Sequence, residues 1–333
     1  MRDIKVRTEN TVYWVANRTA ANLVFIEHEY VIELVYSLLG KAQEGRRDLE
    51  VCGFSFVPNG YEMILTGNSE NLSEFMMVFN RLCTMTFKRL LRIPYRSIWL
   101  DRFEEKVLAD FPSVIHKIAS MYLEPLKQGL CTAVHRYGFN SYKYLQQVLS
   151  LGEEIESEHT DVVIRKLNQI PENISEEEAK HFLKVLEKRR TDKKGKVKLA
   201  VRPLAWKHCF KETQNSSDSH LISLLKKEIK TLQKENEVQI EQAVRVNKHN
   251  MKPRLSSIHK TYVAPKWKRK GPYFYCIDKE SEKRILKSYA DYRKECAFAY
   301  ELWKKTGFLC YPPGAFIPTG PPKESFSLGK PFW

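Results

Sequence analysis

The feature that most constrains the fold is a strand–turn–strand signal at residues 49–66. The segment LEVCGFSFV (49–57) alternates like a strand, and YEMILT (61–66) reads as its return. Between them, Pro58-Asn59-Gly60 has the chemistry of a turn. A second signal follows at once. Leu72, Phe75, Met76, Phe79, Leu82, Thr86, Phe87 and Leu90 recur at helical spacing over 69–92, so this helix lays an apolar stripe on a core.

The same reading extends both ways. TVYWVAN (11–17) and NLVFI (22–26) read as short strands. Residues 29–44 set Val31, Leu34, Val35, Leu38 and Leu39 on one helical face. SIWLDRFEEKVL (97–108) reads as extended. A helix over 113–123 turns Val114, Ile115, Ile118 and Tyr122 inward and leaves Ser113, Lys117, Ser120 and Glu124 along the opposite face. The expected class is α+β: a ferredoxin-like antiparallel sheet with helices on one face over residues 1–150. The acidic break LGEEIESEHTD (151–161) separates it from a mainly helical, basic region over 151–333.

In that second half, Ser175-Glu176-Glu177-Glu178 is a capping box opening a helix to about 190, and RRTDKKGKVK (189–198) is a basic linker. One helix is expected over 219–242 and another over 281–305, ending before Gly307. The charge is uneven. Residues 1–150 hold 18 Lys+Arg and 16 Asp+Glu, whereas 151–333 hold 37 and 24, so +13 of the net +15 lies in the second half. Between Gln242 and Ile277 there is no acidic residue. That run carries Arg245, Lys248, Lys252, Arg254, Lys260, Lys266, Lys268, Arg269 and Lys270, with His249, His259, Tyr262 and Trp267 interleaved. Cations supply phosphate contacts and aromatic rings stack on unpaired bases, so the run reads as a clamp on a nucleic-acid backbone, or else as a solvated loop. Lys88, Arg89 and Arg92 close the 69–92 helix. They are either a second phosphate contact or charges suited to a helix C-terminus.

Seven scattered cysteines, none at C-x-x-C spacing, argue against a zinc ribbon or a disulfide framework and read as reduced, structural thiols. No apolar run approaches a membrane span, and the polar start MRDIKVRTEN lacks a secretory pattern, so a cytoplasmic protein is expected.

Five segments occur in a telling order: VYWVANR (12–18), VPNGYEMIL (57–65), SIWLDRF (97–103), YLEPLKQGL (122–130) and YPPGAF (311–316). Together they resemble the HUH single-tyrosine transposases, of the REP-associated tyrosine transposase type within the insertion-sequence-two-hundred-like class. The resemblance implies an HUH transposase fold, DNA transposition and recombination, single-stranded or hairpin DNA as partner, and a homodimer. In that family the hairpin reads Pro-Asn-His-aromatic-His, and its two imidazoles hold a divalent metal that polarises the phosphate. A helical Tyr attacks to form a phosphotyrosine link, and a polar residue four positions on completes the metal shell.

The present sequence departs at each of these positions. Gly60 stands at the first His position and Glu62 at the second. Counting back from Pro125, the nucleophile position is Ser120 and the polar position is Glu124. Glu62 and Glu124 either form a carboxylate pair for Mg²⁺ or Mn²⁺, or are two solvated acids. Tyr122 is either a shifted nucleophile or a core tyrosine. His116 is either a base for Ser120 or a surface histidine. Trp99 and Phe103 read as sheet and core residues. Three functions follow from these alternatives: a transposase-derived DNA-binding protein with cleavage lost or reduced, an active metal-dependent nuclease using Glu62 and Glu124, and a basic adaptor for protein or RNA.

Overall fold

The computed structural model describes residues 9–20, 29–46, 48–91, 98–160, 195–247 and 273–318. The first half runs β1 (Thr11–Arg18), α1 (Glu29–Gln43), β2 (Leu49–Val57), β3 (Gly60–Gly67), α2 (Ser69–Leu91), β4 (Glu104–Leu108) and α3 (Phe111–Lys127). The sheet order is β2-β3-β1-β4, antiparallel at every pairing, which is the split arrangement of a ferredoxin-like fold. The α+β expectation holds. The strand expected over 22–26 and the helix opening at Ser175 lie outside the described residues.

Side chains alternate across the sheet. On one face Phe54 meets Tyr36 of α1 edge to face, and Tyr61 meets Phe79 of α2 in the same manner. The apolar stripes expected on α1 and α2 are the buried surfaces of both helices. On the other face stand Trp14 and Arg18 of β1 and Gly60 and Glu62 of β3, set side by side by the register Arg18↔Gly60 and Ala16↔Glu62. That face is covered by α3. Trp99 packs edge to face on Tyr61, as a sheet-supporting residue.

The second half adds α4 (Tyr142–Leu151), the hairpin β5 (Ile155–Thr160) and β6 (Lys196–Val201), α5 (Asp218–Glu235), α6 (Glu237–Asn247), β7 (Phe274–Tyr275) and α7 (Lys279–Thr306). It is mostly helical, as expected, with a two-stranded hairpin in addition. The single helix expected over 219–242 is in fact two. Asn236 ends α5, with both its backbone N–H and its side-chain amide bonded to the Leu232 carbonyl, and the chain restarts at Glu237. α5 lays Leu221, Ile222, Leu225, Ile229 and Leu232 inward, against α3. α7 ends as read, on Gly307 in the left-handed region at φ 72°. β7 joins the edge of the main sheet, parallel to β4, through Val107↔Phe274 and Leu108↔Tyr275.

Asp110 fastens that junction. It caps α3 by accepting from the Ser113 N–H at 2.9 Å, and its second oxygen accepts from the Ile277 and Asp278 amides at 3.2 and 3.1 Å. Ser113 was expected on the outward face of α3. It is instead fully buried, because its hydroxyl accepts from the Ile277 N–H at 3.0 Å under the arriving C-terminal segment.

Candidate functional site

The groove between the β1/β3 face and α3 collects the residues the sequence singled out. Gly60 and Glu62 come from β3, one pleat repeat apart, and Ser120 and Glu124 lie one helical turn apart on α3. Glu62 and Glu124 do meet, through a residue not singled out: Arg18. Its Nη2 lies 3.3 Å from Glu62 Oε1 and 3.9 Å from Glu124 Oε1. Arg18 is 5% exposed, so this guanidinium is a buried cation shared by two carboxylates.

The surrounding groups fix each member. The Trp14 indole N–H donates to Glu62 Oε2 at 3.0 Å, and the Gln128 amide donates to Glu124 Oε1 at 2.7 Å. Burial and the neighbouring Glu62 carboxylate push the Glu124 carboxyl above the ordinary range, against the opposing pull of Arg18. Lys117 stands one turn before Ser120. Its ammonium lies 4.5 Å from the Trp14 ring and 4.7 Å from the Tyr275 ring, a cation held between two aromatic faces. Burial holds that ammonium below the usual lysine range.

Gly60 explains how Arg18 comes to be there. A β-carbon at position 60 would stand 2.6 Å from Arg18 Cδ and 2.7 Å from Arg18 Nη1, and would overlap the Asn17 carbonyl oxygen. The arginine side chain therefore fills the space that a larger residue at 60 would need.

This donor set does not fit a divalent metal. Gly60 offers no ligand atom, and the space facing Glu62 and Glu124 already holds a positive group. Among the described residues there is no group of three or more His, Cys, Asp or Glu that could hold a metal ion.

The other candidates separate. Tyr122 is buried, its hydroxyl 3.0 Å from Ser141 Oγ and its ring edge-on to Tyr142. Burial pushes its phenol well above the usual range, so it is a core tyrosine. His116 turns to α5, its Nδ1 3.0 Å from Glu228 Oε1. Ser120 is half-buried on the groove face of α3. Lys88 is half-buried near the end of α2, while the Arg89 side chain and Arg92 lie outside the described residues. Arg245 is exposed on α6 and paired with Glu241 at 3.5 Å. Lys248, Lys252, Arg254, Lys260, Lys266, Trp267, Lys268, Arg269 and Lys270 also lie outside the described residues. The seven cysteines are free thiols.

Sequence reading missed Arg18, Trp14 and Gln128. The available signal was alternation: Trp14 and Arg18 share a face of β1, and a strand-end arginine on a buried face needs an acid opposite it.

Fold and groove together define an α+β protein with a ferredoxin-like sheet whose α3-facing side carries a closed ion cluster. No protein-family model matches the chain, and no curated protein matches it. Among solved structures, the chain is similar to a REP-associated tyrosine transposase bound to a REP hairpin, at 15% identity and a TM-score of 0.36, over 45% of this chain and 86% of that one. Among the described residues, no helix is long and apolar enough to cross a membrane.

Proposed function

We propose that this protein binds DNA, single-stranded or hairpin, on a transposase-like scaffold, and that it does not cleave the strand. The observation that carries the reading is where the basic run is tied down. The acid-free stretch 242–277 ends in Tyr273–Tyr275, which docks on the edge of the main sheet. The Val107 N–H donates to the Tyr273 carbonyl at 2.9 Å, and the Tyr275 ring lies against Lys117. Lys270 is three residues from Tyr273, so chain geometry limits it to roughly 11 Å from that anchor. Lys266, Lys268, Arg269 and Lys270 are thus tethered beside the groove, on the side where Lys117 already lies. A concentrated positive field of this kind suits a phosphate backbone, and Trp267 would add a stacking platform for an unpaired base.

The loss of cleavage follows from the groove. Ser120 lacks an imidazole base, since His116 pairs with Glu228, and Tyr122 is locked in the core. A hydroxyl without a base is a poor nucleophile. The test pairs two measurements on the full chain. A hairpin oligonucleotide should be shifted at low salt and released as salt rises. No covalent protein–DNA adduct should form with Mg²⁺ or Mn²⁺. Failure to shift any hairpin at low salt would remove the DNA reading. An adduct lost in Ser120→Ala or Tyr122→Phe would replace it with a nuclease.

A further inference from the structure

We propose that Arg18 is the resident cation of the groove, and that its guanidinium keeps out a divalent ion that Glu62 and Glu124 would otherwise bind. The two carboxylates reach the same nitrogen, Nη2, at 3.3 and 3.9 Å, from two elements far apart in sequence. Neither is free to turn away. Trp14 holds Glu62 from one side, and Gln128 holds Glu124 from the other. What the fold has built is a pair of oriented, largely buried acids around a single positive charge.

Two carboxylates so placed repel each other unless a cation lies between them, and hard divalent ions take carboxylate oxygens. A metal and the guanidinium cannot share the space, because like charges at that separation in a buried site are strongly unfavourable. Gly60 is the other half of the device. With no side chain at 60, the arginine can run across β3 to reach the acids; with one, it is displaced. Arg18 and Gly60 are therefore a complementary pair, and the metal-free character of the groove is a property of that pair. This goes beyond the DNA reading and does not depend on it.

The experiment is Mn²⁺ binding, read from the free-ion electron paramagnetic resonance signal, on the full chain without DNA. The unaltered protein and Arg18→Lys should leave the signal unchanged. Arg18→Gln and Arg18→Ala should take up Mn²⁺, and Arg18→Gln/Glu124→Gln should not. In parallel, Mn²⁺ at ten times its dissociation constant should raise the melting temperature of Arg18→Gln by roughly 3–5 °C and leave the unaltered protein unmoved. Uptake by the unaltered protein that is lost in Glu62→Gln would overturn the proposal, as would a folded Arg18→Gln that takes up none. If the arginine variants are unfolded alone, Mn²⁺ should restore them, and failure to do so also counts against it. Hairpin binding in EDTA is scored separately and bears only on the DNA reading.

Discussion

The Arg18 side chain lies across Gly60, with Cδ 2.6 Å and Nη1 2.7 Å from where a β-carbon at 60 would stand. Gly60 is not among the residues of positive φ, so its lack of a side chain is demanded by space and not by backbone conformation. Gly60→Ala should therefore destabilise the fold by roughly 1–3 kcal/mol, the usual cost of overpacking. Half of the collision is with the Asn17 carbonyl, which is backbone and cannot swing aside. Arg18→Ala/Gly60→Ala should thus recover only part of the Gly60→Ala loss. Urea unfolding of the variants measures this, and a neutral Gly60→Ala would show that β3 and β1 can spread at this point.

Removing Arg18 alone tests a different quantity. It leaves Glu62 and Glu124 facing each other in a buried groove with no cation. Breaking a buried ion pair from one side typically costs about 3–5 kcal/mol, because the remaining charge is stranded. Arg18→Ala should fall in that range. Arg18→Ala combined with Glu62→Gln should be less destabilised than Arg18→Ala alone, since one stranded acid has been neutralised. A double-mutant cycle by urea unfolding reads the coupling. If the double variant is the less stable of the two, the acids are not what Arg18 holds in balance.

These two residues show how far sequence reading reaches in this chain. The sheet, the apolar faces of α1 and α2, the inward turn of Tyr122 and the Gly307 stop were legible because each rests on local periodicity or turn chemistry. Glu62 and Glu124 were legible as a pair only through their order relative to Pro58 and Pro125. Arg18 was not, because its role depends on the β1/β3 register, which sets it beside Gly60. No local pattern encodes which residue of one strand faces which residue of another. The break at Asn236 was missed for a related reason. The apolar spacing of α5 continues past it, and the stop is made by an asparagine side chain bonding back to Leu232. The burial of Ser113 depends on the arrival of residues 276–278, a contact 164 residues away in sequence.

Asp110 gives the molecule a defined acid sensitivity. Burial alone would raise its carboxyl. The hydrogen bonds from Ser113, the Asp278 amide and the Cys276 thiol outweigh that and hold it below the ordinary aspartate range. A depressed carboxyl stabilises the folded state above its unfolded value, about 3.9, and that contribution is lost as pH falls through the lower folded value. Docking of the C-terminal segment on α3 should therefore weaken below about pH 4, not near neutrality. Asp110→Asn should remove this part of the pH dependence and lower stability at pH 7, with a cap loss of about 1 kcal/mol. Hydrogen exchange at the Ile277 and Asp278 amides reports the junction directly. Unchanged exchange there in Asp110→Asn would show that another contact holds β7 in place.

The salt dependence of hairpin binding distinguishes the tethered basic run from generic surface charge. For a single strand, the slope of log K against log salt is about −0.7 per phosphate neutralised. Replacing Lys266, Lys268, Arg269 and Lys270 together with Ala should flatten the slope by up to about 3, if each meets a phosphate. Arg245 is already paired with Glu241 on an exposed helix, so Arg245→Ala should change the slope by less than about 1. Trp267→Ala should weaken binding by about 1–3 kcal/mol while leaving the slope intact, because stacking releases no counterions. A quadruple variant with the slope of the unaltered protein would show that the phosphates lie elsewhere. A Trp267→Ala effect equal on single-stranded and fully duplex probes would show that the ring does not stack on an unpaired base.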